Sequence, residues 1–192
     1  MDVGLIIRGV KMKRLAVFCG SSDGASDVYR RGAIQLGKEL ARKEISLVYG
    51  GASVGLMGAV ATAVLENGGQ AIGVIPELLK DREMAHPDLT ELYVVQSMHE
   101  RKAKMTDLAD GFIALPGGPG TLEEFMEIFT SAQLGVHQKP LGLLNTNHYY
   151  DPLVSFFQHM ADQQFLDETY RSIVLVDASP ETLIEKFTAI ND

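Results

Sequence analysis

Pro116-Gly117-Gly118-Pro119-Gly120-Thr121-Leu122-Glu123-Glu124 lies between a short apolar run, 112–115, and an amphipathic run, 125–134. That order reads as strand, glycine turn and helix. Gly117, Gly118 and Gly120 let the backbone turn sharply and approach a ligand more closely than any Cβ would permit. The helix that follows offers amide N–H groups and a partial positive charge to the turn, so the expected guest is an anion such as a phosphate. Thr121 and Glu124 also have the spacing of a capping box, which would account for both without a ligand. Capping leaves the run Gly117-Gly118-Pro119-Gly120 unexplained, since a cap needs at most one glycine.

The same alternation extends in both directions. The continuous apolar run at 15–19 reads as a strand buried on both faces, and further strands are expected at 45–49, 70–75, 91–95, 112–115, 141–144 and 173–176. Helices are expected at 26–43, from the second glycine turn to about 67, and at 98–110, 123–134, 151–163 and 180–190. The stretch 77–90 has no periodicity and reads as a loop or a short interrupted helix, with Pro76 closing the strand before it. Strands alternating with helices give an α/β fold, a mostly parallel sheet with helices on both faces. Ligands of such sheets sit outside the carboxyl ends of the strands. The turns Gly20-Ser21-Ser22, Gly50-Gly51 and 117–120 each follow a strand, so they should converge on one edge.

At 192 residues the chain has the length of one domain, expected to span 13–192 after an N-terminal extension of residues 1–12. A formal charge of −8 opposes general nucleic-acid binding, which needs a cationic surface. No apolar run reaches the roughly 20 residues that span a bilayer, so no membrane partner is expected. Cys19 is the single cysteine, which rules out an intrachain disulfide and fits a cytoplasmic location. The five histidines show no paired spacing, so no metal is expected. Glycines at 51, 55 and 58 do not match the dinucleotide fingerprint, and no glycine precedes Lys-Ser or Lys-Thr as in a P-loop.

Ser97-Met98-His99-Glu100-Arg101-Lys102 opens the helix expected at 98–110, with Ser97 and Glu100 spaced as a capping box. Met98, Arg101, Met105 and Leu108 share one arc at 100° per residue, which puts Arg101 amid the apolar face and Lys102 at its margin. A guanidinium is rarely buried unless paired. It either snorkels or joins an internal ion pair, or, at the carboxyl edge of the sheet, meets a phosphate or a carboxylate, with Glu124 the nearest candidate by topology. A carboxylate beside an arginine and an anion cradle suits reactions in which positive charge develops on the substrate, N-glycosidic cleavage among them.

The combination of PGGPGTLEE at 116–124, MHERK at 98–102, GGASVGLMG at 50–58 and FCGSS at 18–22 resembles the Lonely Guy family of cytokinin riboside 5'-monophosphate phosphoribohydrolases, often labelled lysine decarboxylases. The resemblance runs from about residue 13 to 190. It implies a Rossmann-like fold, a homodimer, no cofactor, and hydrolysis of a purine nucleoside 5'-monophosphate, AMP or an N6-modified AMP, to free base and ribose 5-phosphate. By motif position it makes Arg101 and Glu124 the catalytic pair, and Lys102, Gly118, Gly120 and Thr121 substrate-binding, with Glu83 and Thr130 as further contacts. Ser21, Gly50, Gly51, Met57, Gly117 and Glu123, from the same converging motifs, complete the candidate set. The loop Asp81-Arg82-Glu83-Met84 departs from the family in lacking a proline before the arginine. Lysine decarboxylation ordinarily uses pyridoxal phosphate on a lysine Schiff base, and only Lys102 stands near the expected site. A nucleotide-binding or carrier module on the same fold is the alternative, since its phosphate cradle would look alike.

Overall fold

The computed structural model describes residues 12–80, 84–171 and 173–189. Seven strands form one parallel sheet: β1 (Arg14–Phe18), β2 (Ser46–Tyr49), β3 (Ala71–Pro76), β4 (Glu91–Val95), β5 (Gly111–Ala114), β6 (Leu141–Leu144) and β7 (Val174–Asp177). They lie in the order β4-β3-β2-β1-β5-β6-β7, and every neighbouring pair runs parallel. The helices are α1 (Asp27–Arg42), α2 (Gly55–Glu66), α3 (Glu77–Lys80), α4 (Met98–Leu108), α5 (Pro119–Gln133), α6 (Asp151–Asp162), α7 (Glu168–Arg171) and α8 (Pro180–Ala189).

The central strand shows why the layers form. Leu15 and Val17 of β1 join the core under α1, α2 and α8, whereas Ala16 and Phe18 join the core under α4, α5 and α6. A strand apolar at every position is what a sheet covered on both faces requires. Gly37 of α1 lets that helix approach α2 closely, because a Cβ there would lie 2.6 Å from the Val60 carbonyl. The end of α1 is a Schellman turn: Ile45 N–H donates to Leu40 O at 2.9 Å and Glu44 N–H to Ala41 O at 3.1 Å, with Glu44 at φ 57°.

Three features depart from the sequence reading. Pro76 ends β3 rather than closing it from outside: it pairs with Val95, while β2 reaches only as far as Gly73, so the missing proline N–H faces no neighbouring strand on that side. The capping box at Thr121 and Glu124 does not form. Helix α5 starts earlier, with Gly118 as N-cap and Pro119 at its first position, and Thr121 is buried inside the first turn. The single-turn helix α7 was not expected, being too short to carry a periodic signal, whereas α3 falls in the stretch read as a loop or a short interrupted helix. Residues 1–11 of the expected extension lie outside the described residues, while Met12 is buried against the core.

Candidate active site

The strand order reverses between β1 and β5, and the crevice outside their carboxyl ends is where a parallel sheet leaves room for a ligand. A cavity of about 320 Å³ lies there, walled by Cys19, Gly20 and Ser21 after β1, Gly50 after β2, Met57 of α2, Met98, Arg101 and Met105 of α4, and Gly118–Thr121, Glu123 and Glu124 of α5. The glycine turns are tied to one another: Gly20 N–H donates to Pro116 O at 3.1 Å, and Leu56 N–H donates to Gly20 O at 3.1 Å.

The α5 end of the cavity is a helix N-terminus without a side-chain cap. Proline at the first helical position has no N–H, and glycine at the N-cap has no side chain to satisfy the amides behind it. The amide N–H groups of Gly120 and Thr121 therefore lack intrahelical acceptors and carry the positive end of the helix dipole. A Cβ at Gly118 or Gly120 would meet nothing within 4 Å, and neither residue has the positive φ that demands glycine. Packing does not require glycine at these two positions, but the close approach of a ligand would. Gly117 differs: a Cβ there would strike Thr121 Oγ1 and come within 2.9 Å of Gly20 N.

Arg101 enters from the first turn of α4, where Ser97 caps by accepting from Glu100 N–H at 3.1 Å and Glu100 accepts from Gln96 N–H at 2.9 Å. Arg101 is 5% exposed. Its Nε donates to Val74 O at 3.1 Å and its Nη2 to Gly50 O at 3.0 Å, so two carbonyls at the ends of β3 and β2 fix its plane. Any side chain at Gly50 would collide with Nη2. Glu124, half-buried, lines the same cavity from α5. Both charges reach the Cys19 thiol, whose pKa is raised far above the usual range, chiefly by burial and further by Glu124, with Arg101 opposing. Cys19 is thus a protonated wall group rather than a nucleophile.

Of the residues expected from sequence, Ser21, Gly50, Met57, Arg101, Gly118, Gly120, Thr121, Glu123 and Glu124 come together around the cavity. Gly51 lies behind it, at φ 82° and buried against Ile75 and Gly73. Lys102 is held by Glu123 at 2.5 Å and by Glu127, which raise its pKa, and it does not line the cavity. Thr130 is exposed on α5, away from the cavity wall. Glu83 lies outside the described residues. Sequence reasoning did not single out Cys19, Leu79, Met98 or Met105 as lining groups. The two methionines were legible in principle, because they share the arc of Arg101.

Among the described residues no helix is long and apolar enough to cross a membrane, and no cluster of His, Cys, Asp and Glu is grouped to hold a metal ion. Residues 57–187 match a family model described as possible lysine decarboxylase. The chain is 48% identical over 176 residues to the cytokinin riboside 5'-monophosphate phosphoribohydrolase LOG1 of Arabidopsis thaliana, covering 92% of this chain and 83% of that one. It is 47% identical over 179 residues to the enzyme of the same name, LOG, of Oryza sativa subsp. japonica, covering 93% and 74%. Among solved structures, the molybdenum cofactor binding protein of Rippkaea orientalis superposes with a TM-score of 0.71 at 24% identity, over 95% of this chain and 99% of that one. The molybdenum cofactor carrier protein of Chlamydomonas reinhardtii gives 0.69 at 20% identity, over 94% and 98%. At that identity the two structures share the fold.

Proposed function

Since this chain belongs to the family of cytokinin riboside 5'-monophosphate phosphoribohydrolases, we propose that it hydrolyses the N-glycosidic bond of a purine nucleoside 5'-monophosphate. The observation that carries this reading is one cavity holding an uncapped helix N-terminus with two sterically unneeded glycines, a buried arginine and a carboxylate. The 5'-phosphate sits against Gly118, Gly120 and Thr121, where orphan amides and the helix dipole receive it. The ribose then lies toward Glu124, and the base toward Met57, Met98 and Met105, whose thioethers adapt to a flat apolar surface.

The chemistry follows from the charges. As the C1'–N bond stretches, its electron pair leaves with the base and positive charge builds on the ribose ring. The carboxylate of Glu124 stabilises that charge and orients a water whose oxygen adds to C1'. One proton of the water ends on the base nitrogen, and the products are free base and ribose 5-phosphate. Arg101 is held rigid by Gly50 and Val74, so it orients substrate at no cost in side-chain freedom during the reaction.

Pyridoxal phosphate, which decarboxylation of lysine would call for, fits these residues poorly. A Schiff base needs a neutral lysine amine at the reacting centre. Lys102 is instead kept protonated by Glu123 and Glu127, and no lysine is among the described residues lining the cavity.

A homodimer belongs to the same reading and is supported by apolar side chains left on the surface, with Leu134 and Val136 each 75% exposed beyond α5. Product analysis tests the activity: AMP and isopentenyl-AMP, side by side and without added cofactor, should release free base and ribose 5-phosphate. Glu124→Gln should lower kcat by at least about 100-fold while the thermal midpoint stays put. Tight nucleotide binding with no turnover in wild type, unchanged by Glu124→Gln, would establish a carrier instead.

A further inference from the structure

Three consecutive carbonyls leading into the glycine turn each accept a hydrogen bond from a distant element: Leu115 O from Tyr150 Oη at 2.5 Å, Pro116 O from Gly20 N–H at 3.1 Å, and Gly117 O from Tyr149 Oη at 2.6 Å. The two tyrosines stand at the start of α6, on the turn that follows β6. Tyr149 does not line the cavity. Peptide planarity makes the Gly117 C=O and the Gly118 N–H antiparallel, because they belong to the same trans unit. Drawing the carbonyl toward Tyr149 therefore turns the Gly118 N–H to the opposite side, where Gly118 borders the cavity.

The turn that carries these hydroxyls is built at a cost. Asn147 and His148 both sit in the left-handed region, at φ 53° and 59°, where side chains other than glycine are disfavoured. Neighbouring groups hold them there. Asn145 accepts from Tyr150 N–H at 2.7 Å and donates to Asp151 at 2.7 Å, and the Asp151 carboxylate also meets the His148 ring at 3.1 Å. The Tyr149 ring is further set by edge contacts with Tyr29 at 5.7 Å and Tyr150 at 5.1 Å between centroids. A hydroxyl that only decorated the surface would not need a strained turn and two aromatic neighbours to aim it.

We propose that Tyr149 is a positioning residue for the anion cradle: it locks the Gly117–Gly118 peptide in the orientation that offers the Gly118 N–H to the substrate phosphate, with Tyr150 anchoring the turn at Leu115. The cradle belongs to the hydrolase reading above, and the experiment keeps the two apart by measuring phosphate recognition separately from turnover. Affinity for ribose 5-phosphate is measured by calorimetry on the full chain as wild type, Tyr149→Phe and Tyr149→Leu, beside thermal midpoints and AMP hydrolysis. Tyr149→Phe keeps the ring contacts and removes only the hydroxyl. Its affinity for ribose 5-phosphate should fall about five- to tenfold, the worth of one well-made hydrogen bond. KM for AMP should rise by a like factor, kcat should change less than twofold, and affinity for adenosine, which has no phosphate, should be unaltered. Tyr149→Leu should reproduce the loss.

Wild-type affinity retained by Tyr149→Phe overturns the proposal, as does an equal loss on adenosine, which would mark a general structural effect. Failure of wild type to cleave both AMP and isopentenyl-AMP while Tyr149→Phe still weakens ribose 5-phosphate would sink the hydrolase reading and leave the positioning role standing. Failure of wild type to bind ribose 5-phosphate at all would overturn both.

Discussion

Replacing Gly118 by alanine separates a ligand cradle from a helix cap, because only the cradle ties this residue to KM. The residue has φ −88° and ψ −162°, an extended conformation open to any L residue. A Cβ there meets no heavy atom within 4 Å. On the folded protein alone the change is therefore free of clash, and it removes conformational freedom from the unfolded chain. The entropic gain is about 0.4–1 kcal/mol, and alanine is the poorer N-cap by a similar amount, so Tm should stay within about 4 °C of wild type. With a phosphate seated at the α5 N-terminus, the new methyl occupies space the ligand needs. Loss of one hydrogen bond to a charged group is worth about 1.5–3 kcal/mol, so KM for AMP should rise about tenfold to 150-fold. Thermal melting gives the first quantity and base release by chromatography the second. A Gly118→Ala protein with wild-type KM and a Tm within that range would refute the cradle, since the phosphate would then not sit there.

Other expectations follow from groups outside the α5 terminus. Glu44 occupies the left-handed position after α1, so Glu44→Gly should stabilise by about 1 kcal/mol, read as a rise in the urea midpoint with an unchanged slope. His137 is half-buried against the Phe112 ring; it accepts from Lys139 N–H at Nδ1, at 3.2 Å, so its Nε2–H donates to Ile128 O at 3.0 Å. Burial, with Lys139 adding to it, lowers its pKa below the ordinary 6.5. Below about 6.5 the unfolded chain takes up a proton that the folded ring resists, so its contribution is full above that pH and is lost on acidification toward the folded pKa. Unfolding free energy should thus drop more between pH 7.5 and pH 5 in wild type than in His137→Gln. Cys19, buried and held protonated, should react with a disulfide reagent in the native state at least about 100-fold more slowly than after denaturation.

The layer architecture could be read from the chain because period and composition act locally. Leu15 to Phe18, apolar at every position, needs cover on both faces whatever surrounds it, and the Ala33, Leu36 and Leu40 stripe of α1 needs one sheet face to bury. Arg101 was legible for the same reason, a charge placed by helical phase among methionines. The motif stretches also announced which turns meet, since parallel strands bring their carboxyl ends to one edge.

What the chain alone left open turned on competition between neighbours distant in sequence. Thr121 looked like a cap, yet Gly118 is the N-cap, because proline at the first helical position is preorganised for the turn and Thr121 falls, buried, inside the first turn. Lys102 was expected to bind substrate from its motif position alone, and only the fold shows that Glu123 and Glu127 on the facing helix engage its ammonium. Tyr149 and Tyr150 carry no periodic signal at all, and only the folded chain brings their hydroxyls to carbonyls 32 and 35 residues away. Local preference is a property of a few adjacent residues and can be read in order; which charge finds which partner, and which carbonyl is pulled which way, is settled by the packing of elements that the linear order does not juxtapose.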